Sequence, residues 1–347
     1  MLKELMKNTI QLTIPEIIEY DFPMDEPFFL KIIHEGTAYE FVIRLSSDND
    51  RLICFGSGAH PRNSKTSKGE LIKPPYFDRW SWYEFVDESI IAYADPSLYY
   101  DDRITLGWFV GDETWYLEVV GNIIDNIAQN RKIANENILF YGSSGGGFAS
   151  IGLATLLKGS KTIVNNSSFS IRDITDWHYE YLLGILKNKL NLSEEELLDK
   201  LKHRIDLIEL FKYKNYIPDI TYYVNSYSKA DLERCNGFVN NVISLQKDNT
   251  LDVHYYYEED PESKGHGPMD FGKTLNTIKT FNNPKYEESI EENNILKQRV
   301  KELKKITKKN KKLKKQLKQI KNSKSWKLTE PLRKLKQLLK KIKKLLI

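Results

Sequence analysis

The sequence predicts an α/β fold, in which a mostly parallel β-sheet is covered by helices on both faces. Three observations predict it. Apolar segments of strand length alternate with helical segments from Ser89 onward, which is the pattern of βαβ units. The segment NILFYGSSGGGFASIGLATLL, residues 137–157, joins a strand to a helix through a glycine-rich turn. The length of 347 residues and the aromatic content of 12% are sufficient for one large core and an appendage.

The predicted sheet begins with three apolar segments that are separated by turn residues, at 27–34, 39–45 and 51–59. Their composition and spacing predict an antiparallel start of the sheet. The elements that follow are strands at 89–95, 137–142, 161–166, 220–226 and 251–258, and helices at 115–130, 148–157, 231–246 and from about residue 272. Residues 173–218 are predicted to form a helical insertion over the sheet, in which Ser193 and Glu196 have the spacing of a capping box.

Composition and charge narrow the class of protein. The only two cysteines, Cys54 and Cys235, lack metal-ligand spacing and suggest no disulfide framework, which favours a cytoplasmic protein. The N-terminus has no signal-peptide pattern, and no run approaches the roughly 20 apolar residues of a spanning helix. The net charge of +4 hides an asymmetry, because the 22 basic and two acidic residues from Lys297 to Ile347 give this tail +20 and leave −16 for the rest.

The glycine-rich turn carries the main chemical signal. Residues 142–146, Gly-Ser-Ser-Gly-Gly, fit the pattern G-x-S-x-G between a strand and a helix, where a sharp turn exposes the central serine above the edge of the sheet. We therefore expect Ser144 to be a nucleophile and Ser143 to face elsewhere. The amide of Gly145, at the start of the helix, is then expected to stabilise an oxyanion. The alternative is a turn that only packs closely or holds a phosphate, but no G-K-[ST] follows it.

A nucleophilic serine needs a base, and His266 is the predicted one. It lies in the glycine-flanked loop KGHGPM after the last predicted strand, where backbone freedom lets an imidazole reach the serine. The remaining histidines lie in or beside strands or in the helical insertion, and we interpret them as structural or surface residues: His34, His60, His178, His203 and His254.

The acid that orients the base is expected after the strand at 220–226. In enzymes whose nucleophilic serine lies in such a strand-to-helix turn, the order along the chain is Ser, Asp or Glu, His. Asp231 opens the helix there and is the preferred candidate, although a helix-capping role is its alternative. Glu233, Asp219 and Glu258 are weaker candidates. The small-residue turn CFGSGAHPR predicts a second oxyanion donor at Gly58 or Ala59, with an ordinary strand-end turn as the alternative. No metal site is expected.

At these residues the chain resembles the α/β-hydrolase superfamily, from about residue 28 to 281. Within it, the segments PYFDRWSW, YADPSLYYDDRITLGWFVG and YGSSGGGFAS are similar to hydrolase-like proteins of bacterial capsular polysaccharide synthesis and to accessory secretion acetyltransferases. The resemblance implies the same triad that the chain order predicts, Ser144, Asp231 and His266.

The basic tail carries a second resemblance and two physical patterns. Residues 322–337, NSKSWKLTEPLRKLKQ, are similar to a C-terminal segment of many bacterial surface-glycan glycosyltransferases. The 4,3,4,3 spacing of Ile306, Asn310, Leu313, Leu317 and Ile320 predicts a coiled coil, and asparagine at an a position favours a parallel dimer. A single lysine-rich helix is the alternative. The apolar stripe after Pro331 amid lysines predicts an amphipathic helix on an anionic membrane surface, and the acidic body argues against nucleic acid as the partner.

These patterns divide the chain into a catalytic α/β domain at 1–285 with a helical cap at about 173–218, a coiled coil at 286–322 and a basic amphipathic segment at 323–347. The predicted activity is acyl transfer or ester hydrolysis, favouring acetyl, on a bacterial surface glycan or its precursor at the inner membrane face. Acetyl-CoA is a candidate acyl donor that the sequence does not single out, and no tightly bound cofactor is implied. The alternatives are a non-catalytic assembly module and a glycan polymerase or phosphoglycosyl transferase.

Overall fold

The computed structural model describes residues 2–62, 71–173, 176–245 and 250–282, together with isolated positions at 65, 69, 309, 311, 314, 315 and 329. The chain forms two compact units, Met1–Leu275 and Asn276–Ile347. The predicted coiled coil and amphipathic segment lie, apart from those isolated positions, outside the described residues and stay predictions. None of the helices in the described ranges is long and apolar enough to span a membrane.

The first unit is built on one sheet of nine strands in the order β1-β2-β3-β5-β4-β6-β7-β8-β9. The strands are β1 Ile10–Leu12, β2 Pro27–His34, β3 Thr37–Arg44, β4 Leu52–Gly56, β5 Ser89–Tyr93, β6 Ile138–Ser143, β7 Lys161–Asn165, β8 Asp219–Asn225 and β9 Leu251–Tyr256. The α-helices are α1 Leu2–Leu5, α2 Tyr116–Asn130, α3 Gly145–Leu156, α4 Asp176–Leu190, α5 Glu194–Ile205, α6 Leu207–Lys214, α7 Lys229–Ser244 and α8 Phe271–Asn282. The predicted α/β class is confirmed.

The strand pairing corrects the predicted start of the sheet. Strands β2 and β3 are antiparallel, as are β3 and β5, but β4 pairs in parallel with both β5 and β6. All five residues of β4 are buried, which is typical of a central parallel strand and not of a sheet edge. The short strand β1, which pairs with β2 at the edge, was not predicted because three residues are too few to show a strand pattern, although Ile10 and Leu12 share its apolar face.

Helix α3 is the central helix of the fold. Eleven of its twelve residues are buried, and it packs against β4, β6 and β7 and against the helices α2 and α6. Its small residues, GGGFASIGLATL, let the helix axis approach the sheet closely. The first turn of α3 is thereby fixed directly above the carboxyl ends of the parallel strands, where ligands bind in open α/β sheets.

The helical insertion occupies the connection from β7 to β8. Its helices α4, α5 and α6 lie at 176–214, within the predicted cap. The predicted capping box is present at the start of α5, where Ser193 and Glu196 exchange side-chain and backbone hydrogen bonds. Asp206 caps α6 by accepting hydrogen bonds from Ile208 and Glu209.

Candidate active site

The turn between β6 and α3 holds Ser144 in an unusual backbone conformation, with φ of 53° and ψ of −126°. A non-glycine residue at positive φ is uncommon and is held only when its surroundings determine it. Here the Ser144 amide donates to the carbonyl of Asn165 at 3.2 Å, and the Ser144 carbonyl accepts from the amides of Gly147 and Ser168 at 3.0 and 3.1 Å. These bonds fasten the turn to the end of β7.

Two glycines of the turn are required by close backbone approach. A Cβ atom at Gly142 would lie 2.1 Å from the carbonyl oxygen of Gly146, and one at Gly146 would lie 2.6 Å from the carbonyl oxygen of Gly56. Helix α3 therefore starts in direct backbone contact with the end of β4, and a side chain at either glycine would push them apart. The G-x-S-x-G pattern is explained by packing on both sides of the serine.

The structure brings Ser144, His266 and Asp231 together although they are far apart in the chain. The Nε2 atom of His266 lies 2.9 Å from the Ser144 Oγ, and its Nδ1 atom lies 2.9 Å from each carboxylate oxygen of Asp231. In this geometry the imidazole can accept the serine proton at Nε2 while Nδ1–H donates to the carboxylate. The His266 side chain is 39% exposed and that of Asp231 is fully buried, so the site opens on the histidine side.

Asp231 does not cap its helix. The residue that caps α7 is Ser228, whose hydroxyl accepts a hydrogen bond from the amide of Asp231 at 3.3 Å. The carboxylate of Asp231 is instead held by His266 and by the guanidinium of Arg234 one turn further along α7. A buried carboxylate is costly without a partner, and here the guanidinium and the imidazole both contact it.

The other sequence candidates lie elsewhere. Glu233 is exposed on α7, Asp219 accepts from the amide of Thr250 at the start of β8, and Glu258 pairs with Lys273. The remaining histidines pack against aromatic rings or contact other side chains: His34 near Glu35, His60 on Tyr76, His178 on Trp177, His203 on Tyr213 and His254 on Tyr223.

The turn after β4 faces the candidate nucleophile, but one of its two predicted oxyanion donors is engaged. The amide of Gly58 donates to the carboxylate of Asp78 at 3.0 Å, and His60 lies 3.3 Å from the same carboxylate. The amide of Gly58 thus already has an anionic partner, which favours Ala59 of the two predicted donors. Ala59 lines the cavity beside His266 and remains the candidate, together with Gly145 at the start of α3.

The segment PYFDRWSW contains both Asp78 and Arg79, and Arg79 holds the Ser143 side chain apart from that of Ser144. The guanidinium of Arg79 donates to the Ser143 hydroxyl at 3.2 Å and lies over the ring of Tyr141, 4.9 Å from its centroid. Ser143 is buried in this contact, so its hydroxyl does not share the environment of the Ser144 hydroxyl. This explains why the two adjacent serines differ.

The segment GWFVG, residues 107–111, forms a strained loop whose aromatic side chains are buried. Trp108 and Phe109 both have positive φ, at 60° and 53°. The buried carboxylate of Asp95 accepts hydrogen bonds from the amides of Ser97 and Phe109 at 2.8 and 3.0 Å. Burial raises the pKa of Asp95 to about 6, although these amides oppose the shift. Just before this loop, Leu106 packs where a Cβ at Gly145 would stand.

Three buried asparagines that the sequence did not indicate hold the loop of His266 in place. Asn166 donates to the carbonyls of Gly265 and Gly267 at 3.2 and 2.9 Å, so it binds the backbone on both sides of the histidine. Asn225 donates to the Gly265 carbonyl at 3.1 Å. Asn165 accepts from the amide of Met269 at 2.7 Å. They follow or end β7 and β8, and no spacing signal identifies them because their partners are backbone atoms about 40 and 100 residues away.

The buried asparagines also form hydrogen bonds with one another and with a tyrosine of β9. The amide of Asn225 donates to the side-chain oxygen of Asn166 at 2.9 Å, and Asn165 donates to the hydroxyl of Tyr256 at 2.8 Å. All three asparagines are buried, where a satisfied amide network fixes a single geometry. The position of the imidazole is therefore set by the ends of β7 and β8.

A cavity of about 860 Å³ opens beside the triad. Its walls come from the turn after β4, the loop before Gly107, the first turns of α4 and α7, and the loop of His266. Thr105 on one wall contacts His178 of α4 at 2.8 Å. Within the described ranges, no group of histidine, cysteine and acidic side chains could hold a metal ion.

No protein-family model and no curated protein sequence matches this chain. The solved capsule O-acetyltransferase of Neisseria meningitidis serogroup A is similar to it, with a TM-score of 0.53 and 15% identity over 72% of this chain and 96% of that one. A histidine-to-alanine variant of that enzyme in complex with CoA gives a TM-score of 0.54 and 14% identity, over 73% and 94% of the two chains.

Strand order, the turn at Ser144 and this similarity decide the fold. The chain has the α/β-hydrolase fold. In an α/β-hydrolase the nucleophile follows the central strand, the acid follows a later strand and the histidine follows the last one, and the residues at those three places here are Ser144, Asp231 and His266.

Proposed function

We propose that this α/β-hydrolase is a serine-nucleophile acyltransferase or esterase. The observation that carries the proposal is the continuous hydrogen-bonded chain from the Ser144 hydroxyl through His266 to the buried Asp231, at 2.9 Å for each contact. A serine at positive φ above the end of a central strand, with a helix starting at the next residue, is the arrangement that exposes a nucleophile to an acyl group.

The geometry supports the following steps. The Ser144 hydroxyl transfers its proton to Nε2 of His266 while Oγ bonds to the carbonyl carbon of an ester or thioester. The carbonyl π electrons move to the oxygen, and the amides of Gly145 and Ala59 are the proposed donors to it. When the oxyanion collapses, the bond to the leaving alkoxide or thiolate breaks and that group takes the proton from His266. Asp231 keeps the imidazolium oriented throughout.

The second half of the reaction releases the acyl group. A hydroxyl group or water loses its proton to His266 as its oxygen bonds to the acyl carbon, and the Ser144 oxygen leaves and recovers that proton. Transfer and hydrolysis differ only in which oxygen attacks. We propose transfer of an acetyl group from acetyl-CoA to a surface glycan or its precursor, because the similar solved enzyme is a capsule O-acetyltransferase and a variant of it is in complex with CoA.

The tail extends the proposal. Its charge of +20 and its heptad spacing support a dimer that lies against an anionic membrane at the cytoplasmic face, near the enzymes that make the glycan. The SWxLTxPLR segment, which resembles that of surface-glycan glycosyltransferases, supports the same placement.

The test is covalent labelling of the serine. A fluorophosphonate probe should label the wild-type protein and Ser143→Ala but not Ser144→Ala, with the bound probe found on the Ser144 peptide. Ser143→Ala is the matched control because it removes the same atoms from the adjacent residue. Incubation with acetyl-CoA should add an acetyl group to the same peptide. Equal labelling of Ser144→Ala and wild type would reject the proposal and favour a non-catalytic module.

A further inference from the structure

The cavity beside the triad has a charge opposite to that of the body around it. Residues 1–296 carry a net charge of −16, yet the charged side chains that line the cavity are Asp173, Arg234, Lys229 and Lys264, apart from the histidines. A basic cavity in an acidic body attracts an anionic ligand and repels a cationic one. The chemistry of the wall is therefore informative about the substrate.

Arg234 does not supply the free positive charge. Its guanidinium contacts the buried carboxylate of Asp231, lies 3.7 Å from that of Asp173 and donates to the Asp173 carbonyl at 3.2 Å. The charges of Arg234 and Asp173 therefore compensate each other within the cavity wall. The other carboxylate that Arg234 contacts is that of Asp231 in the proposed triad. The positive charge that faces the cavity comes from Lys229 and Lys264.

The two lysines lie on the same side of the cavity. Lys229 is the first residue of α7 and follows Ser228, while Lys264 precedes Gly265. A Cβ placed on Gly265 would lie 2.9 Å from the Ser228 amide nitrogen, so the two backbones touch at this point. Both lysines are exposed, and within the part of the chain that the structure describes neither forms an ion pair. Two lysines from neighbouring backbone segments thus line the cavity together with His266.

Away from these lysines the cavity wall includes the apolar side chains of Ala59 and Leu106, and Leu106 packs beside Gly145, the residue that follows Ser144. A ligand that fits such a cavity has an uncharged portion that extends toward Ser144 and an anionic group that stays at the rim. An acyl thioester on a phosphorylated carrier has this distribution of charge. Lysine binds phosphate as a compact positive charge, and two lysines match a group with several phosphates.

We propose that Lys229 and Lys264 form a subsite for the phosphate groups of the acyl donor. This inference rests on the proposed function, since it places the acyl group of the donor at Ser144. An anionic acceptor is the other source of the same chemistry, so the experiment measures acylation of the enzyme without any acceptor present.

The experiment compares two thioesters in single-turnover acylation of the full-length protein. Acetyl-CoA carries phosphates and acetyl-pantetheine carries none, and the readout is the ratio of their acylation efficiencies at Ser144. Each of Lys229→Ala and Lys264→Ala should lower this ratio about fivefold, and the double variant should lower it more, because an exposed ion pair contributes modestly. Added salt should also lower the ratio of acetyl-CoA to acetyl-pantetheine efficiency in the wild-type protein, because it screens the lysine charges. Lys158→Ala, at the opposite end of α3 from Ser144, should keep the wild-type ratio.

The outcomes are separable. A wild-type ratio in the double variant, with fluorophosphonate labelling intact, would overturn the subsite while the serine nucleophile stands. Absence of acylation by either thioester in a wild-type protein that the probe labels would also overturn it. Absence of probe labelling in the wild type would instead reject the proposed function. Charge reversal by Lys264→Glu should reduce the ratio further than Lys264→Ala, whereas an equal effect would show that the charge is not what matters.

Discussion

Replacing Asn166 by alanine should inactivate the protein at a site that never contacts the acyl group. Asn166 donates to the carbonyls on either side of His266 and accepts from the amide of Asn225. It also has a φ of 42°, a conformation that asparagine tolerates better than alanine. Asn166 is thus a positioning residue, and its loss frees the loop that carries the proposed base.

The magnitude follows from the bonds that are lost. The substitution removes about three buried hydrogen bonds and leaves the Gly267 carbonyl and the Asn225 amide without these partners, which costs about 3 kcal/mol of the free energy of unfolding. That loss alone leaves most domains folded. A displacement of the imidazole by about 1 Å costs about 100-fold in rate, because proton transfer from the Ser144 hydroxyl depends on its 2.9 Å contact with His266. We expect kcat for p-nitrophenyl acetate to fall about 100-fold while KM changes little.

The matched control is Asn130→Ala. The side chain of Asn130 donates to three backbone carbonyls, those of Ile17, Ile18 and Tyr20, at 2.9 to 3.1 Å, in a connection remote from the site. Its replacement should reduce the melting temperature but leave kcat per folded molecule within about twofold, because it disturbs no bond to the loop of His266. Thermal unfolding and esterase rates are measured on both variants at the same folded fraction.

Equal activity of the two variants would refute the reasoning. If Asn166→Ala unfolds earlier yet retains its kcat, the loop of His266 is held by Asn225 and Asn165 alone. If both variants lose activity in proportion to their unfolded fraction, the network is structural only.

Three further perturbations have defined outcomes. Gly145→Ala would place its Cβ 2.4 Å from Leu106, so esterase activity should drop more than tenfold even where circular dichroism shows a folded protein. Asp95 has a raised pKa of about 6, so the folded state binds its proton more tightly than the unfolded state does. Stability from this group should therefore fall by up to about 3 kcal/mol between about pH 4 and 6, a slope that denaturation curves of Asp95→Asn should lack. Deleting residues 331–347 should abolish binding to anionic vesicles in flotation assays without changing the oligomeric state, and full binding by the shortened chain would contradict the membrane helix.

Much of the fold was predictable because the apolar residues of each strand and helix recur with a spacing that is visible in the sequence. The strands at 27–34 and 161–166 and the helix at 115–130 were placed within two residues, since burial imposes an apolar run or a 3.6-residue period on each. The orientation of β4 was not predictable in this way. A buried strand has the same composition whichever direction its neighbours run, and only the completed sheet decides the pairing.

The residues of the candidate site also fall into a predictable and an unpredictable group. The three residues whose side chains meet at 2.9 Å were predictable because chemistry fixes their types and the fold fixes their order. The asparagine network was not, because its members bind backbone carbonyls that any sequence supplies. The partner of the Gly58 amide was not predictable for a similar reason, since Asp78 lies twenty residues further along the chain.

The contact of Arg234 with both Asp231 and Asp173 joins the proposed triad to the segment that leads into the cap. Asp231 orients the proposed base, and Asp173 lies at the start of the segment that leads into the helices of the cap. A single guanidinium therefore shares its charge between the two. Replacing Arg234 would therefore leave two carboxylates without their shared partner, one beside the proposed base and one at the start of the cap segment. The alignment of the imidazole and the attachment of the cap segment thus depend on the same side chain.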